Sequence, residues 1–285
     1  MTTLSLPAPA KLNLCLHITG RRPDGYHELQ TAFQFLDYSD WLHFEWSHHG
    51  SDTMSPGLPG VPDEDNLILR AARLLRHEVR QPLPGVHIVL DKRLPMGGGI
   101  GGGSSDAATT LVALNHLWKL GLNGNRLAEL GLQLGADVPV FVRGFAAWAE
   151  GVGERLQPIQ PPEDWFVVLH PDCEISTARI FTDPGLTRNS TPIRIAPAFE
   201  GDVTGLRNDC EETVRNLYPE VGDSLDWLSQ FGPARLTGTG ACIFGRFPTE
   251  SRAREIWACR PSGINGFVAK GVNHSPLHTE LTERT

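Results

Sequence analysis

The stretch from Pro95 to Ala108 reads PMGGGIGGGSSDAA, six glycines broken only by Ile100 and closed by Ser104, Ser105 and Asp106. Each glycine standing where alanine would serve gives up about 0.5–1 kcal/mol of backbone entropy. Six of them weaken the fold by a large part of the total stability of a domain, about 5–15 kcal/mol. Such a run is there for chemistry that needs bare main chain. A loop of this kind feeding a helix N-terminus aims several N–H groups at one anion, usually phosphate. The helix dipole supplies about 0.3–1 kcal/mol, whereas micromolar affinity needs about 8 kcal/mol, so convergent N–H bonds must do most of the holding.

Three phosphate-binding patterns can be tested against the run. Gly97, Gly99 and Gly102 satisfy G-x-G-x-x-G, but the segment that follows reads as a second helix, not as a second strand ending in an acidic residue, which argues against a dinucleotide fold. A P-loop carries lysine directly after its second glycine, and here Ser104 follows Gly103. The H-R-D and D-F-G strings of protein kinases are missing. A phosphate loop of another lineage remains.

Other side chains with chemical potential lie elsewhere. Lys11 and Asn13 in AKLNLCLHI share one face of a period-2 strand. Tyr26 and His27 directly follow Asp24-Gly25 in the turn RPDG, where a ring can stack on a base and an imidazole can read its edge. Gly238-Thr-Gly240 is a second tight turn, closing on a diphosphate or simply joining two strands. His48-His49 has no metal-like partner spacing and reads as a loop. Cys15, Cys173, Cys210, Cys242 and Cys259 are odd in number, scattered and without CxxC spacing, which points to free thiols.

These residues need elements to hold them. AKLNLCLHI, HELQTAFQFLD and WLHFEW read as three strands of a meander, the last two joined near Tyr38 and Ser39. Asp65 is the expected cap of a helix in NLILRAARLLRHEV, and PGVHIVLDKRLP returns to strand. After the glycines comes a helix over SSDAATTLVALNHLWKL, with Ser104 or Ser105 as its cap. A further helix in NRLAELGLQL ends at Gly135, and ADVPVFVRG carries Asp137 into an extended piece. The proline cluster from Pro158 to Trp165 marks a boundary. Beyond it, strand WFVVLH, helices near DCEETVRNL and DSLDWLSQ, a strand pair around PARLTGTGACIFGRF, helix ESRAREIWA and strand GFVAKGV follow the β-α-β-β-α-β order of ferredoxin-like domains. The expectation is an α+β chain of two domains, 1–158 and 159–285, without internal repeats.

The bulk properties fit. The 285 residues are 40% hydrophobic and 20% charged, with a formal charge of −8. That balance argues against nucleic acid or a membrane surface as the main partner, so an anionic ligand is held locally. The N-terminal MTTLSLPAPA lacks a secretory or transit pattern and no window reaches a membrane span, which leads to the expectation of a cytoplasmic protein. The sequence sets no oligomeric state.

The string Pro-x-Gly-Gly-Gly-x-Gly-Gly-Gly-Ser-Ser resembles the nucleotide loop of the GHMP small-molecule kinases, a superfamily that includes galactokinase, homoserine kinase and mevalonate kinases. PAKLNLCLHITGRRPDGYHEL, DKRLPMGGGIGGGSSDAA, LGADVPVFV, RLTGTGACIF and NGFVAKGVN extend the resemblance over nearly the whole chain. PAKLNL followed by RPDGYHEL is its most specific part, pointing to the branch that acts on a cytidine-linked alcohol. Ile100 departs from the leucine usual at its position.

The resemblance implies the two-domain GHMP kinase fold, a mixed N-terminal domain like the second domain of ribosomal protein S5 followed by a ferredoxin-like domain. It also implies transfer of the γ-phosphate of ATP, with Mg²⁺, to the 2-hydroxyl of the cytidine diphosphate derivative of methylerythritol, a step of the non-mevalonate route to isoprenoid precursors. Asp137 matches the carboxylate that accepts the hydroxyl proton, and Lys11 the lysine that polarises the same hydroxyl. Read without the resemblance, Asp137 is equally a turn or cap residue and Lys11 a solvated strand residue. Pro95, Met96, Gly97, Gly98, Gly99, Ile100, Gly101, Gly102, Gly103, Ser104 and Ser105 match the phosphate loop, while Asn66 and Lys92 fall where the family contacts adenine and ribose. Asn13 is implied at the substrate's diol or phosphate, and Tyr26 and His27 at cytosine, with Phe181 opposite in the stack and Thr177 nearby. Ser104 or Ser105 is the candidate to touch Mg²⁺; no carboxylate pair declares a metal site. Two other readings stay open: an alcohol kinase of homoserine or mevalonate type, and a nucleotide-binding protein without catalysis.

Overall fold

The computed structural model describes residues 4–47, 50–193 and 206–283. Its frame is one long antiparallel hairpin, β1 (Leu4–Arg21) and β2 (His27–Ser47), closed by the RPDG turn with Gly25 at φ 92°. The expected meander is therefore one strand fewer. Nothing between Asp37 and Asp40 breaks a strand: there is no glycine or proline, and Tyr38 stacks on Phe267 with 4.0 Å between ring centroids. Register shifts in β1 at Pro9/Lys11 and Asn13/Cys15 bend the pair instead.

The outer edge of β2 serves three partners in turn. β5 (Ala147–Gly151) pairs with Leu29 to Phe33, β10 (Asn265–Val272) touches Phe35 and Leu36, and β4 (Gly85–Asp91) pairs with Trp41 to Ser47. β3 (Thr53–Ser55) lies parallel to β4, and β6 (Arg155–Pro158) closes on β5. β10 also begins a second antiparallel sheet in the order β10, β7 (Trp165–His170), β9 (Ile243–Phe247), β8 (Ala234–Leu236). This is the strand order that a β-α-β-β-α-β chain adopts when each crossover helix packs on one face.

Helices α1 (Leu67–Val79), α2 (Gly102–Leu117), α3 (Gly124–Leu132) and α4 (Val138–Arg143) cover the first sheet. Leu75, Leu111, Val140 and Phe141 meet Phe35, Phe44 and Ile88 in one core. In the second part, α5 (Thr177–Thr182), α6 (Glu211–Leu217), α7 (Pro219–Ser229) and α8 (Glu250–Ala258) pack on the second sheet. There Leu16 and Ile18 of β1 join Val167, Leu169, Val214 and Leu225, so the hairpin contributes to both cores. A last helix, α9 (Pro276–Glu283), was not expected from the sequence; its Leu277 is fully buried in the first core. His48 and His49 lie outside the described residues.

Local signals explain three departures from the sequence reading. Asn66, not Asp65, caps α1, its Oδ1 accepting from the Ile68 N–H at 2.9 Å. α2 starts at Gly102, with Gly101 as cap at φ 76° and no side-chain cap, so neither serine plays that part. Asp137 stands at the N-terminus of α4 rather than in an extended piece. Pro139 near that helix start is where proline is tolerated, and Val138, Val140 and Phe141 are all buried.

Candidate active site

The glycine run nests between the two parts of the molecule. Gly97, Gly99 and Gly101 take φ of 65°, 72° and 76°, the left-handed region that disfavours side chains. The Ala241 and Cys242 N–H groups donate to the Gly97 and Gly98 carbonyls at 3.2 and 3.0 Å. A Cβ on Gly99 would stand 2.3 Å from the Thr237 carbonyl oxygen, and one on Gly101 2.8 Å from the Phe141 ring. Several of the glycines are thus required by close packing inside the protein. Gly97 and Gly103 face open space or a distant methyl group. The Ser105 N–H bonds the Gly101 carbonyl at 2.8 Å, and among the described residues the N–H groups of Gly102, Gly103 and Ser104 have no such acceptor. Three free donors at the head of a 16-residue helix are available to an anion.

Lys11 lies directly against this loop. It is buried, 2% exposed, with its Nζ donating to Asn13 Oδ1 at 2.6 Å and to the Gly99 carbonyl at 3.0 Å, and 3.1 Å from Asp137 Oδ2. Strand β1 puts Lys11 and Asn13 on one face, and α4 brings Asp137 to them from 126 positions further along the chain (137 − 11). The solvated-strand reading of Lys11 is overturned by its burial. Asn13 is fixed on all sides: its N–H donates to Thr237 Oγ1 at 3.0 Å and its Nδ2 to Thr31 Oγ1 at 2.8 Å. Asp137 keeps a third of its side chain open to the cavity, so one carboxylate oxygen can meet a ligand while the other holds the ammonium.

On the other side of the loop, Asn66 and Lys92 line the same cavity. Lys92 Nζ bridges Asp40 Oδ2 at 2.6 Å and Asp106 Oδ2 at 2.9 Å. One ammonium faces two buried carboxylates. Burial pushes the Asp106 carboxyl up to about 7, Asp40 adding to the rise and Lys92 opposing it. Burial also opposes the Lys92 charge, but Asp106 and Asp40 outweigh it and raise the ammonium above its ordinary value. Of the two serines, Ser104 lines the cavity, while Ser105 Oγ is buried without a hydrogen-bond partner.

At the far end, Tyr26 is 63% exposed at the tip of the hairpin turn. The His27 ring rests against Phe181, centroids 5.0 Å apart and planes tilted by 31°. Arg188 Nε donates to His27 Nε2 at 3.1 Å. Burial, with the Arg188 and Arg21 cations beside it, lowers the His27 pKa. Thr177 Oγ1 meets Thr239 Oγ1 at 2.9 Å, tying α5 to the Gly238-Thr-Gly240 turn. The cavity lined by Lys11, Lys92, Asp137, Tyr26 and His27 has a volume of about 910 Å³, at the upper end of the usual range for ligand pockets.

The fold gathers Lys11, Asn13, Tyr26, His27, Asn66, Lys92, Asp137, Thr177 and Phe181 around one cavity with the glycine loop at its middle. Sequence reasoning missed Thr237, Arg188, Asp40 and Asp106. The RLTGTG string drew attention to the first, but the other three gain meaning only from partners far along the chain.

The chain and its fold have counterparts among known proteins. Residues 66–145 match the GHMP kinases N terminal domain and residues 196–262 the GHMP kinases C terminal family. The 4-diphosphocytidyl-2-C-methyl-D-erythritol kinase of Marinobacter nauticus is 67% identical over 284 residues, 99% of each chain. That of Hahella chejuensis is 57% identical, covering 99% of this chain and 97% of the relative. A crystal structure of 4-(cytidine 5'-diphospho)-2C-methyl-D-erythritol kinase superposes with a TM-score of 0.80 at 32% identity, over 94% of this chain and 99% of that one. A mevalonate kinase structure shares the fold, with a TM-score of 0.71 at 15% identity, over 95% of this chain and 100% of that one.

Proposed function

Because the chain belongs to the 4-diphosphocytidyl-2-C-methyl-D-erythritol kinases of the GHMP family, we propose that it transfers the γ-phosphate of ATP to the 2-hydroxyl of that cytidine-linked alcohol, with Lys11 and Asp137 handling the acceptor. The carrying observation is the Lys11 to Asp137 contact at 3.1 Å, between the free N–H groups of α2 and the cleft at Tyr26 and His27. Phosphoryl transfer asks the protein mainly for positioning and charge stabilisation, and both are supported here.

In this reading the triphosphate lies over the glycine loop, its oxygens accepting from the N–H groups of Gly102, Gly103 and Ser104. The nucleoside extends past Asn66 and Lys92. The cytosine end of the acceptor meets Tyr26, His27 and Phe181, with Thr177 beside it, and its alcohol reaches the open Asp137 oxygen. An alcohol is far less acidic than a carboxylic acid, so Asp137 takes the proton only as the new O–P bond forms. Lys11, held by Asn13 and the Gly99 carbonyl, turns its third N–H from Asp137 toward the same alcohol oxygen, and its charge favours the negative charge growing on the transferred group. Residues 1–158 then carry nucleotide and catalysis, and residues 159–285 close over the cytidine end through Thr177 and Phe181.

Mg²⁺ prefers oxygen ligands and is usually held by one or two carboxylates together with substrate phosphates and water. Ser104 and Asp106, both at the cavity wall, fit that donor set, although among the described residues no three His, Cys, Asp or Glu side chains gather into a closed cage. When bound, the ion would neutralise charge on the phosphates.

The test is ADP release by the purified chain, given ATP with the cytidine-linked alcohol or with the same alcohol lacking the nucleobase. Turnover that needs the base supports the reading, whereas equal turnover of both acceptors points to another GHMP alcohol kinase. Asp137→Ala should lower turnover by about 10²–10⁴-fold while ATP affinity stays within a factor of about two. Unaltered turnover removes the base role, and a wild type that binds ATP yet phosphorylates no alcohol would favour nucleotide binding alone.

A further inference from the structure

Arg188 lies in the loop that follows α5 and directs four of its five guanidinium N–H groups at that loop and at one histidine. Nη1 donates to the Leu186 carbonyl at 3.0 Å, and Nη2 to the Phe181 and Asp183 carbonyls at 2.9 and 2.7 Å. The Nε–H points at His27 Nε2 at 3.1 Å. A guanidinium cannot accept a hydrogen bond, so Nε2 must be the unprotonated nitrogen of the ring. A ring bare at Nε2 carries its proton on Nδ1. Among the described residues Nδ1 has no hydrogen-bond partner and is not sealed from the cavity that His27 lines. The imidazole therefore presents a donor to whatever occupies that end.

From this geometry we propose that Arg188 is a positioning residue that fixes the His27 tautomer and, in the same grip, holds Phe181 against the ring, so that the pocket selects a base offering an acceptor edge. The inference rests on the cytidine-linked acceptor proposed above. Cytosine offers lone pairs at N3 and O2, whereas uracil carries a hydrogen on N3. A fixed Nδ1–H directed at N3 pairs with the lone pair of cytosine and opposes the N3–H of uracil. A site built around a defined hydrogen bond rejects the analogue that cannot complete it more strongly than an apolar pocket rejects a change of size. The second ring nitrogen of a histidine commonly has its state set by the partner of the first, and here that partner arrives from 161 residues away in the chain.

The test begins with the unsubstituted full chain carrying isotope-labelled histidine. Long-range proton–nitrogen NMR correlations above neutral pH, with His27 identified by its disappearance in His27→Gln, should give Nδ1 protonated and Nε2 bare. Arg188→Leu, and the milder Arg188→Lys in case the first does not fold, should move the proton toward Nε2. The same variants should lose about tenfold in kcat/KM for the cytidine-linked alcohol, chiefly through KM. Their KM for ATP should hold, and their preference over the uridine-linked counterpart should narrow. A wild-type ring protonated on Nε2 overturns the proposal, as do variants that keep both tautomer and base preference. An unsubstituted chain that phosphorylates neither linked alcohol overturns the substrate reading instead, and the spectrum still decides the Arg188 to His27 assignment.

Discussion

At the scale of single residues, burial and pairing decide what the charged groups can do. The cluster of Lys92, Asp40 and Asp106 holds two carboxylates against one ammonium, and burial, with the Asp40 charge adding to it, makes a second negative charge costly on Asp106. Its carboxyl is raised from 3.8 to about 7, so between those values the folded state binds more protons than the unfolded one. Stability from this group is then full below pH 3.8 and is lost as pH rises toward about 7. Asp106→Asn should accordingly be more stable than the unsubstituted chain at alkaline pH, the gain shrinking toward zero in acid. Urea midpoints across that range check it, and a pH-independent difference would contradict this account. Asn66 has two duties at once, capping α1 and lining the nucleotide end. Asn66→Ala should cost about 0.5–2 kcal/mol of stability, read as a lower denaturation midpoint, and should also raise KM for ATP.

At the scale of elements, the glycine loop is a joint as much as a cradle. Its first half is strapped to the turn at 237–242, and its second half opens helix α2 toward the cavity. The two halves should respond differently to one added methyl group. Gly97→Ala meets open space and bears only the strain of its left-handed φ, about 1 kcal/mol. Gly99→Ala drives a Cβ into the Thr237 carbonyl oxygen at 2.3 Å and must separate the loop from the turn. Thermal denaturation should show a much larger loss for Gly99→Ala. Similar losses for both would mean that the strap carries little of the stability.

At the scale of the whole molecule, the chain's end returns to brace the proposed catalytic centre. The Ala146 N–H donates to the Asn273 carbonyl at 2.8 Å, the Ser275 N–H to the Gly144 carbonyl at 3.0 Å, and His278 Nε2 lies 3.2 Å from the Phe141 carbonyl oxygen. All three contacts grip α4 or the residues just after it, behind Asp137. Leu277 seals the arrangement from within the first core, and Leu277→Ala should cost about 2–5 kcal/mol, measured by chemical denaturation. A turnover loss beyond the fraction unfolded would show that α9 also sets the position of Asp137.

The amino-acid sequence alone determined the strand, glycine loop, helix order around the cavity, the ferredoxin-like order of the second part, and the choice of Lys11, Asp137, Tyr26 and His27 as candidates, which the fold gathers at that cavity. These are legible because periodicity, turn composition and motif spacing are local, and because the family resemblance rests on short contiguous strings. The unbroken β2, the helical setting of Asp137, the helix α9 and the roles of Arg188 and Asp106 were decided by tertiary structure. Each depends on a partner dozens to hundreds of positions away: Phe267 against Tyr38, the first core beneath Val138 and Leu277, His27 beside Arg188, Lys92 between two carboxylates. Propensity is a property of neighbours in the chain, whereas burial, charge pairing and the choice of a tautomer belong to neighbours in space.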